Sequence, residues 1–210
     1  TTLYKRDSLV IFDEIQRFPR AREAIKTLVA DGRYDFIETG SLISIRENVE
    51  NILIPSEEHS VRMNPMDFEE FAAACGKEPL LNYIKECFVK KLEVEQGVHH
   101  MAMLLFKQYM IVGGMPQSVS AYLEGSKSFY EADIAKREIL SLYRKDIWKA
   151  SLRYRTKILQ IYDGIPGYLS RHDKKVTTGD IDKGQKTNGL ADAFFWLSDS
   201  MIANECFACS

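Results

Sequence analysis

Apolar residues fall in two kinds of run along this chain: short unbroken stretches near the start, then longer stretches with helical spacing. Leu9-Val10-Ile11-Phe12 is unbroken and is followed by Asp13-Glu14-Ile15-Gln16 and a turn toward Pro19. Such a run predicts a strand buried on both faces, the kind found in parallel sheets. Ala24, Ile25, Leu28 and Val29 then recur at helical spacing, and Gly32 supplies the stop. A second short strand, Tyr34-Asp35-Phe36-Ile37, leads into Glu38-Thr39-Gly40-Ser41. Strand, helix and strand with short connections predict a right-handed parallel crossover. That crossover sets Thr39 and Ser41 beside Asp13 and Glu14 on one sheet edge. Ser60-Val61-Arg62-Met63 reads as a further strand, closed by Pro65. Asp67 with Glu70 resembles a capping box, opening a helix whose apolar face starts at Phe68 and Phe71.

From about residue 78 to 150 the pattern is helical. Leu80, Leu81, Ile84, Phe88 and Leu92 form one stripe, and Met101, Leu104, Leu105 and Met110 another. Gly113-Gly114-Met115-Pro116 interrupts them, as a hinge or a tight connection, with Pro116 suited to a first helical position. A long helix is expected over about 130–150. After Arg155 come three shorter segments. The first carries Ile158, Leu159, Ile161, Tyr162, Ile165 and Leu169, with a bend at Pro166; the second covers 176–181; the third carries Leu190, Ala193, Phe194, Leu197 and Met201. Their spacing predicts a helix-turn-helix core, its wing expected beyond Cys206. Phe194, Phe195 and Trp196 are consecutive, so at least one aromatic cannot face a shared core.

Composition narrows the picture. In 210 residues, 45% are hydrophobic and 28% charged, an ordinary globular balance. The net charge of −2 argues against a surface that binds nucleic acid throughout. Four cysteines are too few for a secreted disulfide framework. No signal peptide or run of about 18 apolar residues is present, which favours a cytoplasmic protein without a membrane partner. The start at Thr1 and the end at Ser210 lead us to expect an internal fragment.

The chemistry concentrates at the first strand's end. Two carboxylates at the C-terminal end of a parallel strand have the form of a Walker B segment, where Asp13 would help hold Mg²⁺ and Glu14 would orient or activate water. The plain alternative is a strand that exits into solvent. Thr39 or Ser41 could hydrogen-bond a γ-phosphate or the water, or could simply form a turn with a capping serine. His99-His100 is a poor metal pair, because adjacent helical residues point about 100° apart. Cys206-x-x-Cys209 is half a zinc set with no second pair.

Several motifs in order carry a resemblance. Asp13-Glu14-Ile15-Gln16, Thr39-Gly40-Ser41, Ile54-Pro55-Ser56-Glu57-Glu58, Asn64-Pro65-Met66-Asp67-Phe68-Glu69-Glu70-Phe71, Gly113-Gly114-Met115-Pro116 and Tyr143-Arg144-Lys145-Asp146-Ile147 follow one another. Together they resemble the prokaryotic AAA+-type P-loop ATPases that carry a C-terminal domain of unknown function. The resemblance implies an α/β N-terminal part, the remnant of a parallel P-loop ATPase sheet, followed by a mainly α-helical region ending in a truncated winged-helix-like unit. It implies domains at 1–75 (the C-terminal half of the nucleotide-binding core), 76–152 (a lid-like helical region) and 153–210. It also implies Asp13 and Glu14 as the Walker B pair, Asp13 on the metal, Ser41 with Thr39 at the sensor-1 position, and ATP with Mg²⁺ as ligands.

Two departures stand out. No G-x-x-x-x-G-K-S/T segment occurs, and Gly76-Lys77 lacks a glycine five positions before Gly76. That loop's amides and lysine supply most of the phosphate binding. Many members of that family also carry a Gly-Arg pair before the third strand, and residues 54–60 have none. Arg62 and Arg46 are the nearest substitutes, each otherwise a solvated surface charge. The full-length protein is therefore expected to be an ATPase, with this chain inactive alone. A different reading is a winged-helix adaptor whose α/β part is only scaffold. Arg144, Lys145, Lys149, Arg153, Arg155 and Lys157, interleaved with Tyr143, Trp148 and Tyr154, and the lysines at 174, 175, 183 and 186 would serve nucleic acid there. Solvated helix faces and an anchor at Trp148 explain them equally. A protein partner or self-association is the remaining expectation.

Overall fold

Strands β1 (Leu9–Phe12) and β2 (Asp35–Glu38) run parallel, with Leu9 opposite Asp35 and Phe12 opposite Glu38. The computed structural model describes residues 4–5, 7–40, 59–148, 150, 152–173, 176 and 189–206. They fall into two compact units, Met63–Ala150 and Thr1–Arg62 with Ser151–Ser210.

A 3-10 turn over Ile15–Arg17 and helix α1 (Pro19–Asp31) connect β1 to β2. Pro19 opens α1, where its missing N–H costs nothing. Gly32 ends it at φ 63°, and its N–H donates to the Val29 carbonyl at 3.0 Å. Side chains alternate across the strands: Val10, Phe12 and Phe36 are half-buried, while Leu9, Ile11 and Ile37 are exposed. The rings of Phe12 and Phe36 stack with centroids 6.2 Å apart. The expectation of a strand buried on both faces therefore holds for one face only among the described residues. Arg22 of α1 reaches Glu38, which puts α1 on the half-buried side.

The strand expected at Ser60–Met63 is not formed: residues 59–67 carry no strand. Their backbone bonds go elsewhere. The Met66 N–H donates to the Gly114 carbonyl at 2.7 Å, and Tyr109 Oη donates to the Met66 carbonyl at 2.9 Å. Helix α2 (Phe68–Ala74) follows with the expected capping box. The Glu70 N–H donates to Asp67 Oδ1 at 2.8 Å, and the Asp67 N–H donates to Glu70 Oε2 at 2.9 Å.

Helices α3 (Glu78–Lys90), α4 (Gln96–Val112), α5 (Pro116–Glu124) and α6 (Phe129–Ile147) complete this unit. Phe71, Leu81, Leu105, Val112, Val119 and Tyr122 form its core. The stripe expected through Phe88 and Leu92 is interrupted. Phe88, inside α3, is 84% exposed, and Lys91 turns left-handed and ends the helix before Leu92, which is 61% exposed. Gly113 and Gly114 make a tight α4–α5 connection. Gly113 sits at φ 81°, and a Cβ on Gly114 would lie 2.1 Å from the Met66 carbonyl oxygen. Ser118, fully buried, donates to the Val112 carbonyl at 2.7 Å and pins the same corner. Ser128 caps α6 by accepting from the Glu131 N–H.

In the other unit, helices α7 (Leu152–Ser170) and α8 (Leu190–Asp199) pack together. They bury Ile158, Ile161 and Tyr168 with Leu190, Ala193 and Leu197. Pro166 lies inside α7, and Phe195 is the aromatic left outside, at 61% exposed. The helix expected over 176–181 lies, except for Val176, outside the described residues.

Candidate functional site

The acids sit where β1 leaves the sheet. The Thr39 N–H donates to the Phe12 carbonyl at 2.9 Å, and the Ile15 N–H donates to the Thr39 carbonyl at 3.0 Å. These bonds extend the parallel pairing one step past the strands and bring Thr39 level with Asp13. Thr39 Oγ1 donates to Asp13 Oδ1 at 2.5 Å and accepts from the Glu14 N–H at 3.2 Å. Side-chain alternation puts Asp13 and Thr39 on the exposed face.

Glu14 turns the chain. Its backbone is left-handed, φ 55° and ψ 46°, directly before the 3-10 turn. Its carboxylate lies 3.6 Å from Arg17 Nε, a pair open to water and so worth little. Asp13, Glu14, Arg17 and Phe18 border an open groove of about 430 Å³. Of the residues expected at the site, Asp13, Glu14 and Thr39 are brought together. Ser41 and Arg46 lie outside the described residues. Arg62 is exposed, as are His99 and His100.

Behind the edge is a pair that the sequence reading missed. Arg22 Nη1 donates to Glu38 Oε2, with the side chains only 5% and 16% exposed. The available signal was an arginine three positions before Ile25, on the apolar stripe of α1.

Among the described residues, no group of three or more His, Cys, Asp or Glu could hold a metal alone. Mg²⁺ on a nucleotide asks less of the protein, since one or two carboxylates plus phosphate oxygens suffice. Asp13 fits that demand, a hard oxygen donor at an open strand end whose Oδ1 is oriented by Thr39.

Residues 103–210, more than half of the chain, match the family model described as Domain of unknown function (DUF8612). The chain belongs to that family. The DUF8612 region begins within α4 and holds α5 to α8. Residues 1–72 match the model described as AAA domain, which spans β1, α1, β2 and the site, ending within α2. This match supports an AAA-type P-loop family for the N-terminal part. No match was found among curated proteins or solved structures. Among the described residues, no helix is long and apolar enough to cross a membrane.

Proposed function

We propose that residues 1–72 carry the metal-binding and water-activating half of an AAA-type ATP-hydrolysing site, in a protein whose P-loop is supplied by another segment. In this reading Asp13 and Glu14 are the Walker B pair. Asp13 would hold Mg²⁺ through Oδ2, its Oδ1 being engaged by Thr39. Glu14, one residue further on, would orient the attacking water and take its proton. Ser41 would face the γ-phosphate at the sensor-1 position, with Thr39 at the same sheet edge, bonded to Asp13 and Glu14. Mg²⁺ supplies neutralisation of phosphate charge when bound. The helical region from 76 to 152 would act as a lid, and residues 153–210 as a winged-helix-like partner-binding unit.

One observation carries this reading: a parallel crossover with Thr39 hydrogen-bonded to Asp13 and Glu14 at the C-terminal sheet edge, inside the AAA match. Ligands of open α/β sheets bind at that edge. The test is Glu14→Gln in a polypeptide that includes the P-loop. The amide keeps the shape but cannot act as a base. Mg-ATP affinity is expected to stay within about twofold while turnover falls by about 100-fold or more. Turnover equal to the parent would remove Glu14 from the mechanism.

A further inference from the structure

We infer that Thr39 is a positioning residue that latches the acid turn, and that its hydroxyl does not contact phosphate. The first ground is backbone shape. Glu14 holds left-handed dihedrals, φ 55° and ψ 46°, which a residue with a Cβ seldom adopts. Such a conformation persists where surrounding bonds over-determine it. Here the bonds come from Thr39 on both sides: its Oγ1 accepts the Glu14 N–H at 3.2 Å, and its carbonyl accepts the Ile15 N–H at 3.0 Å.

The second ground is proton counting. A threonine hydroxyl has one proton to donate. Thr39 gives it to Asp13 Oδ1 at 2.5 Å, so none is left for a phosphate oxygen. One side chain thereby fixes two things at once, the rotation of the Asp13 carboxylate and the direction in which Glu14 leaves the strand. The latch stands on geometry alone; its consequence for hydrolysis rests on the ATPase reading above.

Amide hydrogen exchange on the 210-residue chain tests the latch directly. Thr39→Val keeps the shape and removes both hydroxyl bonds. The Glu14 amide is expected to exchange at least about tenfold faster, with the β1 and β2 amides unchanged, because a protected N–H then loses its acceptor. Thr39→Ser restores the slow exchange. Glu14→Gly in the Thr39→Val background recovers part of the lost thermal midpoint, since glycine accepts the left-handed turn without a latch. This double variant also serves if Thr39→Val alone unfolds. An unchanged Glu14 amide in Thr39→Val, or failure of Thr39→Ser to restore it, overturns the latch. In a polypeptide that includes the P-loop, Thr39→Val is expected to lower kcat at least about tenfold with KM within about twofold. If Glu14→Gln abolishes turnover while Thr39→Val leaves kcat unchanged, the positioning role fails and the ATPase reading stands. If the amide responds but Glu14→Gln turns over normally, the latch stands and the water-activating role of Glu14 fails; no turnover in the parent polypeptide would instead sink the ATPase reading.

Discussion

Asp13 and Gly114 are single residues whose roles separate chemistry from packing. In a polypeptide that includes the P-loop, Asp13→Ala removes the carboxylate proposed to hold the metal and leaves Thr39 Oγ1 without its acceptor. Mg-ATP binding is expected to weaken by about tenfold or more, each 1.4 kcal/mol being a factor of 10. Calorimetric titration would show this, and an unchanged affinity would contradict Asp13 as the metal ligand. The 210-residue chain itself, lacking a P-loop motif, is expected to show no micromolar Mg-ATP affinity in the same titration. Gly114→Ala acts on packing. Its Cβ would lie 2.1 Å from the Met66 carbonyl oxygen, so Met66 must move and its 2.7 Å bond to Gly114 must stretch. A loss of about 3 kcal/mol is expected in urea unfolding, at the upper end of overpacking costs. A variant as stable as the parent would mean that the corner yields freely.

At the scale of elements, the Arg22–Glu38 pair ties α1 to the last residue of β2, next to Thr39. Removing one member of a buried pair leaves a charge with poor solvation, a cost of about 3 kcal/mol. Arg22→Met is therefore expected to destabilise the chain by about that amount, and Arg22→Met with Glu38→Leu by less than the sum of the two single changes. A double-mutant cycle in urea measures the coupling, and a value near zero would mean the pair is incidental.

What the sequence made legible followed from local rules. β1, α1 and β2 were readable because an unbroken apolar run, a helical stripe and a stop at Gly32 each need only neighbouring residues. The Asp67–Glu70 capping box was readable for the same reason. Tertiary partners were not. Ser60–Met63 looked like a strand, but the nearby Met66 N–H finds its acceptor at Gly114, far along the chain. Arg22 drew no reading from the sequence, because its partner Glu38 lies on a strand that only the fold brings beside α1. The acids and Thr39 were predicted to meet, yet the turn of Glu14 and the spending of Thr39's one proton could not be read from residue types.

At the scale of the whole molecule, the division into two units sets the last prediction. The unit Met63–Ala150 has its own core around Phe71, Leu105, Val112 and Tyr122, and is expected to fold when excised. It also exposes Phe88, Val89, Met110 and Ile111, so dilute solution is the appropriate condition. Three tyrosines give it a pH signature. Burial pushes the Tyr109, Tyr122 and Tyr143 hydroxyls above the ordinary tyrosine value; the charges of Asp67 and Glu70 add to this at Tyr109, Cys75 at Tyr122, and Asp146 at Tyr143. The sign follows from linkage. Unfolded tyrosines ionise near pH 10, about their ordinary value, while the folded ones keep their protons to higher pH. Their contribution is fully present below the unfolded value and is lost as pH rises through the folded one. The urea midpoint of the excised unit is therefore expected to fall as pH rises above about 10. Exposed pairs such as Lys90–Glu86 contribute little. Tyr109→Phe removes the bond to the Met66 carbonyl and should cost about 1 kcal/mol at pH 8. The same change should flatten the alkaline fall, because phenylalanine has no proton to lose. An alkaline fall as steep as in the parent would show that Tyr109 keeps its ordinary titration in the folded unit, and would contradict its bond to the Met66 carbonyl.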